Sequence, residues 1–218
     1  MILETLIVGP LETNCYVLGC ERTRQAIVID PGDDPNDILG VLKRHGLSVE
    51  RLVVTHAHFD HLLAARPLQE TTRAPFYLAA ADSTELRTMR RTAMAWIGRD
   101  AGAPPEVHGD INPGSAIQVG DLTLEVRGTP GHSPGGVTFV DHEGRRAFTG
   151  DTVFAGSIGR TDLRGGNLEV LLQAIRREIL SLPDDYALLP GHGPSSTVLQ
   201  ERTSNPFLVA SSPSSYRQ

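Results

Sequence analysis

Three histidines within six residues are the strongest chemical signal in the sequence. His56, His58 and His61 lie in the run T-H-A-H-F-D-H that begins at Thr55. This run follows a segment that reads as a buried strand, and side chains two positions apart at a strand end point to one side. His56 and His58 can therefore bind one metal ion together, while Asp60 and His61 turn toward a second position. Asp60 could instead be a helix N-cap, but beside three histidines we interpret it as a ligand.

Three further segments repeat one design, in which an apolar strand leads into a turn with a single ligand-type residue. These turns contain His132 in G-T-P-G-H, Asp151 in T-G-D and His192 in P-G-H. The carboxyl ends of strands are where open α/β architectures place their sites. Together with the first cluster, the turns supply five histidines and two aspartates. Two cations ~3.5–4 Å apart, bridged by hydroxide, are a common hydrolytic arrangement for such ligands.

A serine nucleophile is the competing interpretation of one of these turns. The run G-H-S-P-G around Ser133 matches the G-x-S-x-G pattern of serine hydrolases, and the order Ser133, Asp151, His192 matches their triad order. However, the oxyanion hole there uses the backbone N–H of the residue after the nucleophile, and Pro134 has none. The following residues also read as a strand, where that fold requires a helix. The sequence therefore favours metal chemistry.

The apolar periodicity predicts two successive runs of strands, each mixed with helices. Such a pattern indicates two α/β halves packed sheet to sheet with helices outside. We predict a single domain over residues 1–210 and a polar, flexible tail over 211–218. The predicted strands are Ile2–Val8, Asn14–Leu18, Gln25–Ile29, Arg51–Thr55, Phe76–Ala79, Ile117–Val119, Leu122–Val126, Val137–Val140, Arg145–Phe148 and Tyr186–Leu189. The predicted helices are Pro35–His45, Asp60–Thr71, Ser83–Arg99, Leu168–Leu182 and a short one near Leu199.

Composition restricts the class of protein and its partners. The 218 residues are 39% hydrophobic and 21% charged, which is typical of a soluble globular protein. The net charge of −6 disfavours a nucleic-acid partner. No apolar run approaches the ~18 residues of a membrane span, and the N-terminal residues lack the basic region of a secretion signal. Cys15 and Cys20 do not form a C-x-x-C pair, so we interpret them as buried reduced thiols of a cytoplasmic protein. The oligomeric state stays open.

Four motifs together resemble the metallo-β-lactamase superfamily: T-H-A-H-F-D-H, G-T-P-G-H-S-P-G-G, F-T-G-D-T-V-F and L-P-G-H-G-P. The resemblance spans nearly the whole chain and implies an αββα sandwich with a dinuclear metal site at its edge. By this resemblance, the ligands of the first metal are His56, His58 and His132, those of the second are Asp60, His61 and His192, and Asp151 is the bridge. Asp30, before Pro31, is either a turn-forming residue or a carboxylate that supports the histidine-rich loop.

Two later segments narrow the resemblance to one branch. The run G-S-I-G-R-T-D after Asp151 and the run E-R-T-S-N-P-F near the end resemble glyoxalase II and its single-domain relatives. These enzymes hydrolyse S-2-hydroxyacyl-glutathione thioesters. The resemblance implies hydrolysis by a hydroxide that bridges two divalent metal ions, with zinc as the first choice and iron or manganese as alternatives.

The same resemblance implies roles for individual residues. Asp60 and Asp151 would be catalytic as well as ligands, and Arg160 would hold a carboxylate of the small-molecule thioester. Alternatively, Arg160 forms a surface ion pair with Asp162. The larger enzymes of this branch complete their glutathione site with a C-terminal helical domain that has no counterpart in these 218 residues. The acyl carrier is therefore glutathione or another thiol.

The alternative function on the same fold is that of a glutathione persulfide dioxygenase. That enzyme shares the G-R-T-D and E-R-T-x-N-P motifs but uses one iron, which His56, His132 and Asp151 would hold here. Its last histidine motif generally reads P-A-H-D-Y, whereas this chain has P-G-H-G-P around His192, which favours the hydrolase. The full set of ligand-type residues disfavours a non-catalytic binding module, and the acidic balance disfavours a nuclease.

Overall fold

The computed structural model describes residues 1–209, so the tail predicted over 211–218 lies outside the described residues. Within them, two six-stranded mixed sheets pack face to face and helices cover their outer sides. This is the αββα arrangement that the sequence predicted.

The first sheet contains the strands of the first half in sequence order. β1 to β3 are antiparallel, and β3 to β6 are parallel. Parallel neighbours need crossover connections, and three helices supply them on the outer face. The strands are β1 (Ile2–Val8), β2 (Thr13–Gly19), β3 (Gln25–Ile29), β4 (Ser48–Val53), β5 (Phe76–Leu78) and β6 (Val107–Asp110). The helices are α1 (Pro35–His45), α2 (Ala65–Thr72) and α3 (Ser83–Ile97).

The second sheet is built from the second half of the chain, in the order β14-β13-β10-β9-β8-β7. A small separate hairpin, β11 with β12, follows β10. The strands are β7 (Ala116–Val119), β8 (Leu122–Gly128), β9 (Val137–Asp141), β10 (Arg146–Gly150), β11 (Val153–Phe154), β12 (Ser157–Ile158), β13 (Ala187–Pro190) and β14 (Ser196–Thr197). The helices are α4 (Leu168–Ala174), which continues as a π-helical turn over Ile175–Ile179, α5 (Val198–Ser204) and α6 (Pro206–Val209).

The core has three apolar layers. The central layer joins the inner faces of the two sheets, with Ile27 and Ile29 of the first sheet packed among Phe139 and Phe148 of the second. All four side chains are fully buried. The outer layers pack α1, α2 and α3 on the first sheet, and α4, α5 and α6 on the second. Both sheets are thus covered on both faces, which leaves their edges and strand ends for function.

Several helices differ from their predictions at their ends, most of all the helix after the histidine-rich run. The sequence predicted a helix over Asp60–Thr71, but Phe59–His61 forms a single 3₁₀ turn and α2 begins only at Ala65. The intervening amides bind elsewhere, because Leu63 N donates to Gly32 O (3.1 Å) and Ala64 N donates to Pro31 O (3.0 Å). Carbonyl groups of the loop after β3 therefore accept the hydrogen bonds that the first turn of the predicted helix would have made.

Backbone hydrogen bonds join the strand-end turns at one edge of the sandwich. Val137 N donates to Thr55 O (2.8 Å), which connects the second sheet to the end of β4. Gly191 N donates to Gly150 O (2.9 Å), and Asn14 N donates to Gly191 O (2.7 Å). The turns that carry the histidines and aspartates are consequently held against one another by the backbone itself.

Two further observations concern the membrane and cysteine predictions. Among residues 1–209, every helix is too short or too polar to cross a bilayer. Cys15 and Cys20 are both buried free thiols, as predicted.

A test of the packing between this edge and α4 uses Gly131. Its φ of +127° lies in the region that favours glycine, and an added Cβ would lie 2.3 Å from the backbone nitrogen of Leu171. We expect Gly131→Ala to lower the free energy of unfolding by about 1–3 kcal/mol, because neither backbone can move aside. Denaturant titration measures this change.

The matched control is Gly40→Ala in α1, where an added Cβ meets no atom within 4 Å. This variant should have a free energy of unfolding about 0.5–1 kcal/mol higher than that of the wild type, since alanine loses less conformational entropy than glycine when it enters a helix. Equal stability of the two variants would contradict the packing described for Gly131.

Candidate metal centre

All seven side chains predicted as ligands converge at the strand-end edge. Their donor atoms form overlapping groups in which every atom lies within 4.8 Å of the others. Each comes from a turn after a strand, and together these turns belong to both sheets. The groups are His56, His58 and His132; His56, His61 and Asp151; and Asp60, His61 and His192.

Three imidazoles make the first group. His58 Nδ1 lies 3.1 Å from His56 Nε2 and 2.8 Å from His132 Nε2, and the two Nε2 atoms are 3.2 Å apart. His56 and His132 are buried, and His58 is partly exposed to an adjoining cleft. Three ring nitrogens thus face one point at the inner end of that cleft.

The second group combines imidazoles with carboxylates. Asp60 Oδ2 lies 3.2 Å from His192 Nε2 and 3.6 Å from His61 Nε2. Asp151 lies between the groups, with Oδ1 at 3.4 Å from His61 Nε2 and Oδ2 at 3.5 Å from His132 Nε2. Its two oxygens therefore face different groups.

Oxygen acceptors behind the rings determine which nitrogen faces inward. His132 Nδ1 donates to Arg160 O (2.8 Å), and His192 Nδ1 donates to Leu11 O (3.0 Å). Carbonyl oxygens only accept, so these Nδ1 atoms carry the proton, and a neutral ring then has its lone pair on Nε2. Both Nε2 lone pairs consequently point into the centre.

Asp30 extends this arrangement to the other two rings. Its carboxylate accepts from Thr55 N (2.6 Å) and Thr55 Oγ1 (2.8 Å), and His61 Nδ1 lies 3.1 Å away. Because the Thr55 hydroxyl proton is directed to Asp30, Thr55 Oγ1 accepts from His56 Nδ1 at 3.1 Å. The sequence left two roles open for Asp30, and the structure shows that it supports the histidine-rich loop from behind.

Two buried polar atoms of the centre lack a hydrogen-bond partner in the described part of the chain, and a bound cation would take that place. His61 Nε2 and Asp151 Oδ1 are buried and form no hydrogen bond within the described residues. A buried polar group without a partner is costly, and a metal ion between these atoms would satisfy both. Imidazole and carboxylate donors without a thiolate suit zinc, iron or manganese.

The pKa directions divide the centre into two electrostatic environments. Burial, with the neighbouring histidines, lowers the pKa of His56 and lowers that of His58 to about 4. Burial alone would also lower the pKa of His61, but the charges of Asp151, Asp60 and Asp30 outweigh it and raise that pKa. His56 and His58 therefore favour their neutral forms, whereas the carboxylates around His61 favour a positive charge, which a proton or a bound cation can supply.

Asp82 is a residue of the site that sequence reasoning missed. Its fully buried carboxylate accepts from Ala57 N (3.0 Å), Ser133 Oγ (2.8 Å) and Gly135 N (2.5 Å). It thereby ties the loop between His56 and His58 to the loop after His132. Nothing in the sequence indicated this, because Asp82 directly precedes α3 and reads as an ordinary helix cap.

The bond from Ser133 to Asp82 also decides the serine alternative. The Ser133 hydroxyl is fully buried and donates to a carboxylate rather than to a histidine. The match to G-x-S-x-G is therefore a structural turn, as the sequence argument favoured.

A cleft of about 370 Å³ opens beside the centre. Trp96 is 53% exposed and forms part of its wall. The Arg160 guanidinium lies 5.6 Å from the Trp96 ring centroid and forms a bidentate pair with Asp162, both bonds at 2.8 Å. Arg160 thus lines the cleft as predicted for a substrate contact, and it also makes the ion pair that was its alternative. The residues that line the cleft include His58, Asp60, His132, Asp151, His192, Met89, Arg91, Leu163 and Arg164.

The other three histidines lie away from the centre. His45 contacts Glu4 (2.6 Å), His142 contacts Glu125 (2.6 Å), and His108 is exposed beside Gln69.

Comparison with known proteins identifies a family. The model of the metallo-β-lactamase superfamily matches residues 8–192. A probable metallo-hydrolase of Bacillus subtilis, YqgX, is 37% identical over 92% of this chain and 94% of its own. The hydroxyacylglutathione hydrolase GloC of Haemophilus influenzae is 32% identical over 97% of this chain and all of its own length.

Solved structures agree with this relationship. BLEG-1, a B3 metallo-β-lactamase, superposes with a TM-score of 0.89 at 36% identity over 95% of this chain and 99% of its own. TTHA1623 in a di-iron-bound form gives 0.86 at 38% identity over 94% and 100%. ETHE1 from Myxococcus xanthus gives 0.80 at 28% identity over 97% and 86%.

A pair of variants tests the role of Asp82. Asp82→Ala leaves the buried amides of Ala57 and Gly135 without acceptors, so we expect it to lower the free energy of unfolding by about 3 kcal/mol. Ser133→Ala removes only one hydrogen bond and should cost about 1 kcal/mol. Thermal and denaturant unfolding measure both changes. If Ser133→Ala instead abolished a hydrolytic activity by about a thousandfold, the serine mechanism would return.

Proposed function

Because the chain belongs to the metallo-β-lactamase superfamily, we propose that it is a dinuclear metal-dependent hydrolase. Its substrate is a small-molecule thioester such as S-2-hydroxyacylglutathione, which it cleaves to the 2-hydroxy acid and the thiol. The observation that carries the proposal is the convergence of seven ligand-type side chains beside an open cleft. The similarity to GloC over almost the whole chain supports the thioester substrate.

The two metal positions follow from the two groups of donor atoms. His56, His58 and His132 would hold one ion, and Asp60, His61 and His192 would hold the other. Asp151 would contact both, since its two oxygens face different groups. Zinc is our first choice and iron or manganese are the alternatives, and the di-iron form of TTHA1623 shows that a similar chain accepts iron.

Two such cations supply a water of low pKa and a Lewis acid for the thioester carbonyl. The residues of the chain provide the rest. Asp151 fixes the spacing of the two positions. Asp60 lines the cleft, so its carboxylate could accept the proton of the attacking water while it stays a ligand. The departing thiolate is a good leaving group and needs no acid.

Arg160 is proposed to bind the thiol carrier. Its Nε and Nη2 are used by Asp162, which leaves Nη1 outside that pair. The ion pair and the stacking on Trp96 hold the guanidinium in one orientation at the cleft wall. An arginine fixed in this way can donate to a carboxylate with little further loss of conformational freedom.

The cytoplasmic location of the protein and the lack of a nucleic-acid partner stay predictions.

A glutathione persulfide dioxygenase with one iron is the second candidate. His56, His132 and Asp151 would hold that iron, and their donor atoms do lie together, with His132 Nε2 at 3.2 Å from His56 Nε2 and 3.5 Å from Asp151 Oδ2. This alternative gives no ligand role to Asp60, His61 and His192. The hydrolase proposal uses all seven side chains, and for that reason we prefer it.

Metal counting tests the ligand assignment. His58→Ala removes one donor from the first group only, so we expect the purified variant to bind one metal ion tightly where the wild type binds two. Mass spectrometry of the metals after gel filtration measures the ratio. His108→Ala, at an exposed position outside the centre, is the control and should keep both ions. Two tightly held ions in His58→Ala would contradict the assignment.

Parallel assays on the metal-loaded protein test the reaction. We expect release of lactate and glutathione from S-lactoylglutathione, and loss of this activity in Asp151→Asn, because an amide cannot bridge two cations as a carboxylate does. Oxygen consumption with glutathione persulfide is measured on the same preparation, as is β-lactam hydrolysis in view of the similarity to BLEG-1. A protein that holds one iron, consumes oxygen and leaves the thioester intact would be the dioxygenase.

A further inference from the structure

Three arginines line the cleft, and they differ in how their charges are compensated. Arg160 is paired with Asp162 and stacked on Trp96. Arg91 of α3 and Arg164 of the loop before α4 are both exposed, and neither forms an ion pair with any residue in the described part of the chain. The wall of the cleft therefore carries positive charge that the protein leaves without a direct counterion.

Two arginines close to Arg91 in the chain are compensated by acidic side chains. Arg90, adjacent to Arg91 in α3, makes a bidentate pair with Asp100, both bonds at 2.6 Å. Arg99, just beyond the end of α3, pairs with Asp33. Glu85 lines the same cleft and interacts electrostatically with Arg164, but it makes no salt bridge to it. Arg87, one turn earlier in α3, donates to the Thr84 hydroxyl and does not line the cleft. Arg91 is therefore the arginine of this helix that lines the cleft, and it has no Asp or Glu partner in the described residues.

The cleft that contains these arginines also contains the candidate centre and an apolar wall. His132 and Asp60 mark its inner end, where the scissile bond must lie, and Met89, Trp96 and Leu163 give it apolar wall. Arg91 and Arg164 line the same cleft and are exposed. A ligand that fills the cleft would therefore meet the candidate centre, an apolar wall and two guanidinium groups.

We propose that Arg91 and Arg164 select thioesters whose thiol carrier ends in an anionic group. This inference rests on the proposed thioester hydrolase function and names the residues that determine its carrier specificity. Guanidinium groups bind carboxylates and phosphates through paired N–H donors. The anion is therefore a carboxylate of a peptide thiol or a phosphate of a phosphorylated thiol. Arg160, already fixed by Asp162, positions the carrier, whereas Arg91 and Arg164 discriminate by charge.

A binding experiment tests the inference without requiring turnover. Trp96 is the single tryptophan of the chain and lies in the cleft wall, so its fluorescence reports occupancy. Three non-hydrolysable probes are titrated into the metal-loaded protein: S-methylglutathione with carboxylates, S-methyl phosphopantetheine with a phosphate, and S-methyl-N-acetylcysteamine with no charge. We expect at least one anionic probe to bind about tenfold more tightly than the neutral one, and the preference to shrink as salt screens the arginines.

Substitutions then test whether Arg91 and Arg164 cause the preference for anionic probes. Arg91→Ala and Arg164→Ala should each raise the Kd of the preferred anionic probe by about three- to tenfold and leave the Kd of the neutral probe unchanged. Arg90→Ala is the matched control, because Arg90 is exposed on the same helix but pairs with Asp100, and it should change neither value. Which anionic probe responds identifies carboxylate or phosphate as the recognised group.

Failure of the inference and failure of the proposed function give different results. Equal binding of all three probes, no binding of either anionic probe, or a loss in the arginine variants that includes the neutral probe would each overturn the role of Arg91 and Arg164. If anion selection depends on both arginines but thioesters are not hydrolysed, then the reaction is wrong and the charge-selective cleft stands.

Discussion

Every histidine ring that turns Nε2 into the centre does so because an oxygen acceptor holds its Nδ1 from behind. Thr55, Asp30, Arg160 and Leu11 supply these oxygens. They come from loops of the first sheet and from the turn after the β11–β12 hairpin. Because these segments are far apart in the chain, the orientation of the rings depends on the complete sandwich. Outer acceptors of this kind set the tautomer and direction of metal-binding imidazoles in general. Here the bonds that orient the rings are all made by protein atoms.

Two buried carboxylates link the geometry of the centre to the stability of the fold. Asp30 and Asp82 are almost completely buried, and neither is paired with a lysine or arginine in the described residues. Their charges are instead satisfied by backbone amides, hydroxyls and, for Asp30, the ring of His61. Asp30 thereby fixes the histidine-rich loop, and Asp82 joins that loop to the loop that carries His132. Stability and site geometry are therefore coupled, because a loop that moves would leave a buried charge without donors.

The C-terminal E-R-T-S-N-P run has a structural role in the same system. Glu201 is fully buried and accepts from Gly156 N at 3.0 Å and from Asn205 Nδ2 at 2.7 Å, while Asn205 Nδ2 also donates to Ser157 O. These bonds hold the β11–β12 hairpin, which lies in the chain between Asp151 and Arg160. A motif at the far end of the chain thus supports the segment that connects the centre to the cleft.

The sequence by itself determined which ligand-type side chains form the candidate centre. The spacing of His56, His58, Asp60 and His61, and the recurrence of strand-then-ligand turns, were enough to predict which side chains meet, because strand ends of one sheet edge are close in any such fold. Local sequence did not determine Asp82, the choice between two roles for Asp30, or the start of α2, since each depends on donors from distant segments. Which arginines near the cleft have an acidic partner was also decided only by tertiary structure. Arg90 and Arg91 are adjacent and alike in sequence, and only the packing of α3 places one beside Asp100 and the other at the cleft.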